Sequence, residues 1–133
     1  MRIYLFGNED VASDSLPLSL EHIIHETFPH ITPVIIKPND EVSFSDDLYP
    51  ILIDSVIGID EVSLFDETDI DKITLSPRAS VHDFDLGFQL KLLKKMGWLK
   101  KWYLIGIPAE KTLDQDRVIS ILRKLVEQDI HGS

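Results

Sequence analysis

The segment "RIYLFG" (residues 2–7) is almost continuously apolar and is rich in residue types that favour strands. Such a run is typical of a strand buried on both faces, as the strands of parallel sheets are. The segment 15–28 that follows is predicted to form a helix, with Asp14 or Ser15 as its N-cap and Pro17 in its first turn. Its apolar residues recur at helical spacing: Leu16, Leu20, Ile23, Ile24 and Phe28.

The rest of the chain continues this alternation of strands and helices. Strands that alternate with helices imply a mostly parallel sheet with helices on both faces. We therefore expect an α/β fold of three layers, α/β/α, with a twisted sheet of about five strands. The segments predicted as strands are "ITPVIIK" (31–37), "YPILIDSVI" (49–57), "EVSLFDE" (61–67, an edge strand) and "KWYLIGIP" (101–108), and those predicted as helices are 84–97 and 113–130.

The composition narrows the class of protein. The chain has 133 residues, 44% hydrophobic and 27% charged, which predicts one globular domain over residues 1–133. It has 13 Lys and Arg against 23 Asp and Glu, a net charge of −10, which argues against binding nucleic acid or anionic membranes. The absence of cysteine excludes disulfides, thiolate nucleophiles and cysteine-based metal sites. No secretory signal or bilayer-spanning run is visible, so a cytoplasmic location is expected.

Three titratable side chains are expected at one edge of the sheet. In α/β sheets, ligands bind beyond the carboxyl ends of the strands. Asp14 and Asp54 are expected at this edge, and so is His82 if its loop folds to the same edge. Each also has an ordinary interpretation, since Asp14 or His82 can cap a helix and Asp54 can serve a turn. Together, two carboxylates and an imidazole suit a borderline divalent ion such as Zn²⁺ or Ni²⁺. Such an ion, with one position open, polarises a carbonyl and activates water.

The order of these motifs resembles that of the hydrogenase maturation endopeptidases. These proteases trim the C-terminus of the large subunit of nickel–iron hydrogenases. The resemblance extends from residue 3 to about residue 125. The matching motifs are "FGN" (6–8), the carboxylate Asp14, "ILIDSV" (51–56), "SVHDFDLG" (80–87) and "YLIGIP" (103–108).

The resemblance implies a site, a substrate and a fold. Asp14, Asp54 and His82 would coordinate metal and carry catalysis, while Gly7 and Asn8 would position the loop after the first strand. The metal would be nickel carried by the substrate, for which zinc or cadmium can substitute in the free protein. The partner would be the large-subunit precursor. The protein itself would be a cytoplasmic monomer that binds neither nucleic acid nor membrane. The implied fold is of the phosphorylase/hydrolase-like type.

Two departures from the family pattern favour an alternative. Many members have Glu where this chain has Asp14, and "KPNDEVSFSDD" (37–47) replaces a loop of the type Asp-Gly-Gly-Thr. The alternative is a non-catalytic binding module that recognises a metalloprotein precursor. A weaker hypothesis is a nucleotide- or phosphate-binding domain, because "GNED" (7–10) follows the first strand. No glycine-rich phosphate motif is present, however, and acidic residues at that turn would repel phosphate.

Overall fold

A computed structural model describes residues 2–7, 16–36, 49–72, 74–75, 95, 101–109 and 112–132. Apart from residue 95, the predicted helix over residues 84–97 lies outside this part of the chain. The strands are β1 (Arg2–Phe6), β2 (Thr32–Ile36), β3 (Ile51–Ile57), β4 (Ser63–Asp66), β5 (Thr74–Leu75) and β6 (Tyr103–Pro108); the helices are α1 (Glu21–Thr27) and α2 (Gln115–Gly132), with 3₁₀ helices at Leu16–Leu20 and Glu67–Asp69.

The strands form one mostly parallel sheet in the order β2-β1-β3-β6-β4, with β5 paired to β3. The strands β2, β1, β3 and β6 are parallel to one another. The strands β4 and β5 are antiparallel to β6 and β3, respectively. The predicted α/β fold with a mostly parallel sheet is therefore confirmed, and the alternating segment at 61–67 does supply the strand at one end of the order.

Two apolar clusters bury the two faces of the sheet. Because successive side chains of a strand point to opposite faces, each buried strand contributes to both clusters. The 3₁₀ helix at Leu16–Leu20, α1 and α2 pack on one face, where Leu20, Ile24, Val118 and Leu122 meet strand residues such as Ile53. The other face carries the second cluster, which consists of Tyr4, Phe6, Ile36, Leu52, Val56, Trp102 and Leu104.

The first helical segment is divided into two kinds of helix. Residues 15–28 were expected to form one α-helix, but Leu16–Leu20 form a 3₁₀ helix before α1 begins. The Ser19 hydroxyl donates to the carbonyl oxygen of Leu16 at 2.6 Å, the acceptor that an α-helix would pair with the N–H of residue 20. This side-chain bond competes with regular α-helical bonding in this turn. Among the described helices, none combines the length and the apolar character needed to cross a membrane.

The last helix begins with a capping interaction. The Asp114 carboxylate accepts a hydrogen bond from the backbone N–H of Arg117 at 3.1 Å, as N-cap residues do. Its backbone carbonyl accepts from the N–H of Val118 at 3.3 Å. The helix therefore starts at Gln115, close to the predicted start at residue 113, and its apolar stripe faces the sheet.

Candidate functional site

Asp54 lies inside the central strand of the sheet and is fully buried. Leu5 of β1 pairs with Ile53, so β1 ends one residue later, level with Asp54. On the other side, Asp54 pairs with Gly106 of β6. The strand β3 continues past Asp54 to Ile57, so the carboxylate lies within β3 at the level where β1 stops.

The Asp54 side chain lies on the face of the second apolar cluster. Leu52 and Val56, two residues before and after it on the same strand, both belong to that cluster. The Asp54 Oδ1 atom accepts a hydrogen bond from the backbone N–H of Ser55 at 2.8 Å. Taking a carboxylate out of water costs several kcal/mol unless hydrogen bonds or charges compensate it. In the described part of the chain, Asp54 and Ser55 are the two buried polar residues, which marks this point of the sheet as a candidate site.

The short strand β5 turns the chain back towards Asp54. Thr74 pairs with Ile57 and Leu75 pairs with Val56 in the antiparallel sense, so β5 itself runs towards the level of Asp54 on β3. His82 follows Leu75 by seven positions, and seven residues of extended chain reach at most about 25 Å. His82 itself lies outside the described residues.

Gly7 closes the first strand on the same level. Gly7 is buried, and its backbone N–H donates to the carbonyl oxygen of Ile36 at 3.4 Å, which extends the pairing of β1 with β2. Asp14 follows Gly7 by seven positions and precedes Leu16 by two. Asn8, Asp14 and His82 lie outside the described residues, so their meeting with Asp54 stays a prediction.

A surface depression lies at the amino-terminal edge of the parallel strands, opposite the edge where β1 ends. It has a volume of about 460 Å³ and is next to Thr32 and Pro33, which pair with the amino-terminal residues of β1. His22 and His25 line it, but the Nε2 atom of His22 lies 3.0 Å from the Glu26 carboxylate and that imidazole is 84% exposed. No group of three or more metal-binding side chains occurs within the described ranges. This depression is separate from the Asp54 site.

Comparison with known proteins identifies the fold. No protein-family model matches the sequence, and no curated protein does. Among solved structures, the hydrogenase maturating endopeptidase HybD from E. coli matches with a TM-score of 0.62 and 13% identity, over 92% of this chain and 91% of that chain. This chain has the HybD fold. At this identity the likeness to HybD shows the fold alone.

Two further solved structures share the HybD fold with this chain. The hydrogenase 2 maturation peptidase from a Thaumarchaeota archaeon matches with a TM-score of 0.55 and 17% identity, covering 98% of this chain and 97% of that chain. An uncharacterized protein from Wolinella succinogenes matches with a TM-score of 0.54 and 16% identity, over 99% and 98% of the two chains. The resemblance inferred from the motifs is thus confirmed for the fold.

Gly106, the direct neighbour of Asp54 in the sheet, is not among the residues that the sequence motifs indicated. A glycine inside the buried strand "YLIGIP" was the available signal, because glycine in a strand marks a place where another group approaches closely. Identifying that group required the register between β3, β6 and β4, which the sequence does not contain.

Proposed function

We propose that this chain is a metal-dependent endopeptidase that removes a C-terminal peptide from the large-subunit precursor of a nickel–iron hydrogenase. The observation that carries the proposal is the fully buried Asp54, placed level with the end of β1 in a fold shared with HybD. The names of HybD and of the hydrogenase 2 maturation peptidase indicate the substrate class. Nickel already bound by the precursor is, in this proposal, part of the substrate.

Asp54, Asp14 and His82 are the proposed ligands of that nickel. Two carboxylate oxygens and one imidazole nitrogen form a donor set that suits borderline divalent ions. The hydrogen bond from the N–H of Ser55 supports this role for Asp54, because groups that hold a ligand's other contacts fix its orientation. The direction of β5 agrees with the inclusion of His82, since β5 runs towards the level of Asp54 and His82 follows β5 in the sequence.

The surroundings of Asp54 suit hydrolysis of a peptide bond. The nickel carried by the precursor would polarise the scissile carbonyl and activate the attacking water. Leu52 and Val56, on the same face as Asp54, keep bulk water from the inner side of the carboxylate. Electrostatic attraction between the carboxylate and a cation is stronger where water is excluded. No serine or cysteine nucleophile is needed for this reaction.

The test is cleavage of a nickel-loaded large-subunit precursor, followed by intact mass. The wild type is expected to release a C-terminal peptide, whereas His82→Ala and Asp54→Asn are expected to lower the rate at least roughly 100-fold. His25→Ala is the matched control, because His25 lies in the depression at the other edge of the sheet and should leave the rate unchanged. Circular dichroism of each variant checks that the fold is retained.

Two outcomes would contradict the proposal. The first is an intact precursor after incubation with the wild type, provided that another maturation protease cleaves the same preparation. The second is equal cleavage by the wild type and Asp54→Asn. Binding of the precursor without cleavage would favour the non-catalytic binding module, the alternative that the replaced loop at 37–47 suggests.

A further inference from the structure

A row of neighbouring residues crosses the sheet at the level of Asp54. Gly106 pairs with Asp54 on one side and with Ser63 of β4 on the other. Neighbouring strands are about 4.8 Å apart, so the glycine is the nearest lateral neighbour of Asp54 on β6. Glycine has no side chain, and it therefore leaves a gap on the face of the sheet that carries the carboxylate.

The ring of Phe65 fills this gap. A Cβ atom built on Gly106 would lie 2.7 Å from the Cε2 atom of Phe65 and 3.3 Å from its Cδ2 atom. It would also lie 2.7 Å from the Cγ2 atom of Val56. Contacts below 3.0 Å are not tolerated, so any larger residue at position 106 must displace the ring or the valine.

The register shows that the side chain of Phe65 extends along β6 from the level of Leu104 to the level of Gly106, which pairs with Asp54. The backbone partner of Phe65 on β6 is Leu104, two residues before Gly106. Its ring nevertheless covers Gly106, in the diagonal contact that long side chains make across strands. Phe65 is half-buried and packs against the second cluster, on the face that carries Asp54. The ring thus forms an apolar wall over Gly106, the residue of β6 that pairs with Asp54.

We propose that Phe65 is a positioning residue for Asp54, and that position 106 is glycine so that the ring can lie beside the carboxylate. The wall limits the rotamers open to Asp54 and keeps water from one side of it. Both effects strengthen the hold of a carboxylate on a cation. This inference rests on the proposed function, because it assigns to Asp54 the role of a nickel ligand.

The first test is a double-mutant cycle in the metal-free protein. Phe65→Leu keeps an apolar side chain but removes the ring, and Asp54→Asn keeps the shape of Asp54 but removes its charge. If the ring lies against the carboxylate, the shift in urea midpoint of the double variant should differ from the sum of the shifts of the two single variants, as it does for residues in contact. Val34→Ala, on the same cluster but on β2, should combine with Asp54→Asn additively. Additive shifts for Phe65 as well would overturn the inference.

The second test is the cleavage assay, read as separate changes in kcat and KM. Phe65→Leu and Gly106→Ala are expected to lower kcat about 10-fold and to leave KM within about two-fold of the wild-type value. Phe65→Tyr, which keeps an aromatic ring, is expected to retain most of the wild-type kcat. A Phe65→Leu enzyme with wild-type kcat, beside an inactive Asp54→Asn enzyme, would overturn this inference and leave the proposed function standing. A wild type that cleaves no competent precursor would remove the proposed function, and this inference with it.

Discussion

Arg117 donates a hydrogen bond from its Nε atom to the backbone carbonyl of Val62. The bond joins the first turn of α2 to the segment that leads into β4, across 55 positions of sequence. The same guanidinium lies 3.5 Å from the Glu61 carboxylate. Because α2 covers one face of the sheet and β4 ends the strand order, this contact attaches the helix to that end of the sheet.

Replacing Arg117 with Met is expected to lower the free energy of unfolding by about 1–2 kcal/mol. Methionine keeps an apolar stem but leaves the carbonyl of buried Val62 without this donor, and an unsatisfied buried acceptor costs about that much. Urea denaturation measures the change. Glu61→Gln is the control and should alter stability by less than about 0.5 kcal/mol, because the ion pair is exposed to solvent. Equal losses in the two variants would assign the effect to the ion pair.

Truncation of Leu122 is expected to be among the costly changes in α2. This side chain is fully buried between the helix and the sheet, and Leu122→Ala should lower the free energy of unfolding by about 2–5 kcal/mol. Lys124 lies on the exposed side of the same helix, so Lys124→Ala should change stability by less than about 0.5 kcal/mol. Similar losses for both would mean that α2 does not pack as described.

The sequence predicted those strands and helices that can be recognised from the pattern of their own residues. The central strands read as continuous apolar runs because both faces of the sheet are buried, and the alternating segment 61–67 read as an edge strand. The two-residue strand β5 is too short to show a period. It exists because Val56 and Ile57 extend beyond the end of β1 and offer backbone partners. Such pairing depends on the fold rather than on the residues of β5.

The candidate site was also predictable only in part, because some of its contacts depend on the register of the strands. Asp54 could be selected because a carboxylate at the tip of a buried strand is costly to desolvate. It does lie buried on the central strand, but β3 continues past it to Ile57. The contact between Gly106 and Phe65 could not be predicted, since it depends on the register of β4 against β6. The placement of Asp14 and His82 relative to Asp54 stays a prediction that the cleavage assay tests.

Gly58 provides a test of backbone conformation alone. Its φ angle is +87°, in the left-handed region, and a Cβ atom added there would meet nothing within 4 Å. Gly58→Ala should therefore lower the free energy of unfolding by about 1 kcal/mol through backbone strain, without any clash. Gly58→Asn should cost less, because asparagine tolerates this region better. An alanine variant as stable as the wild type would contradict the positive φ angle.

The pH dependence of stability should contain a contribution from Asp66. The Thr68 hydroxyl donates to its Oδ1 atom at 2.6 Å and lowers the pKa of Asp66 below 3.8, as do the Thr68 backbone N–H at 2.9 Å and the charge of Lys72. A carboxyl whose pKa is lower in the folded state stabilises the fold above its unfolded pKa. That stabilisation is lost as the pH falls through the folded pKa.

The free energy of unfolding should therefore be compared for the wild type and Asp66→Asn between pH 7 and pH 2.5. Asparagine can still cap the 3₁₀ helix at Glu67–Asp69, so the difference between the two proteins isolates the charge. The wild type should be the more stable of the two above about pH 4, and the difference should shrink below that pH. Thr68→Val removes the hydroxyl donor and should reduce the pH dependence while keeping the backbone hydrogen bond. Parallel curves for the wild type and Asp66→Asn over the whole range would show that the pKa of Asp66 is the same in the folded and unfolded chains.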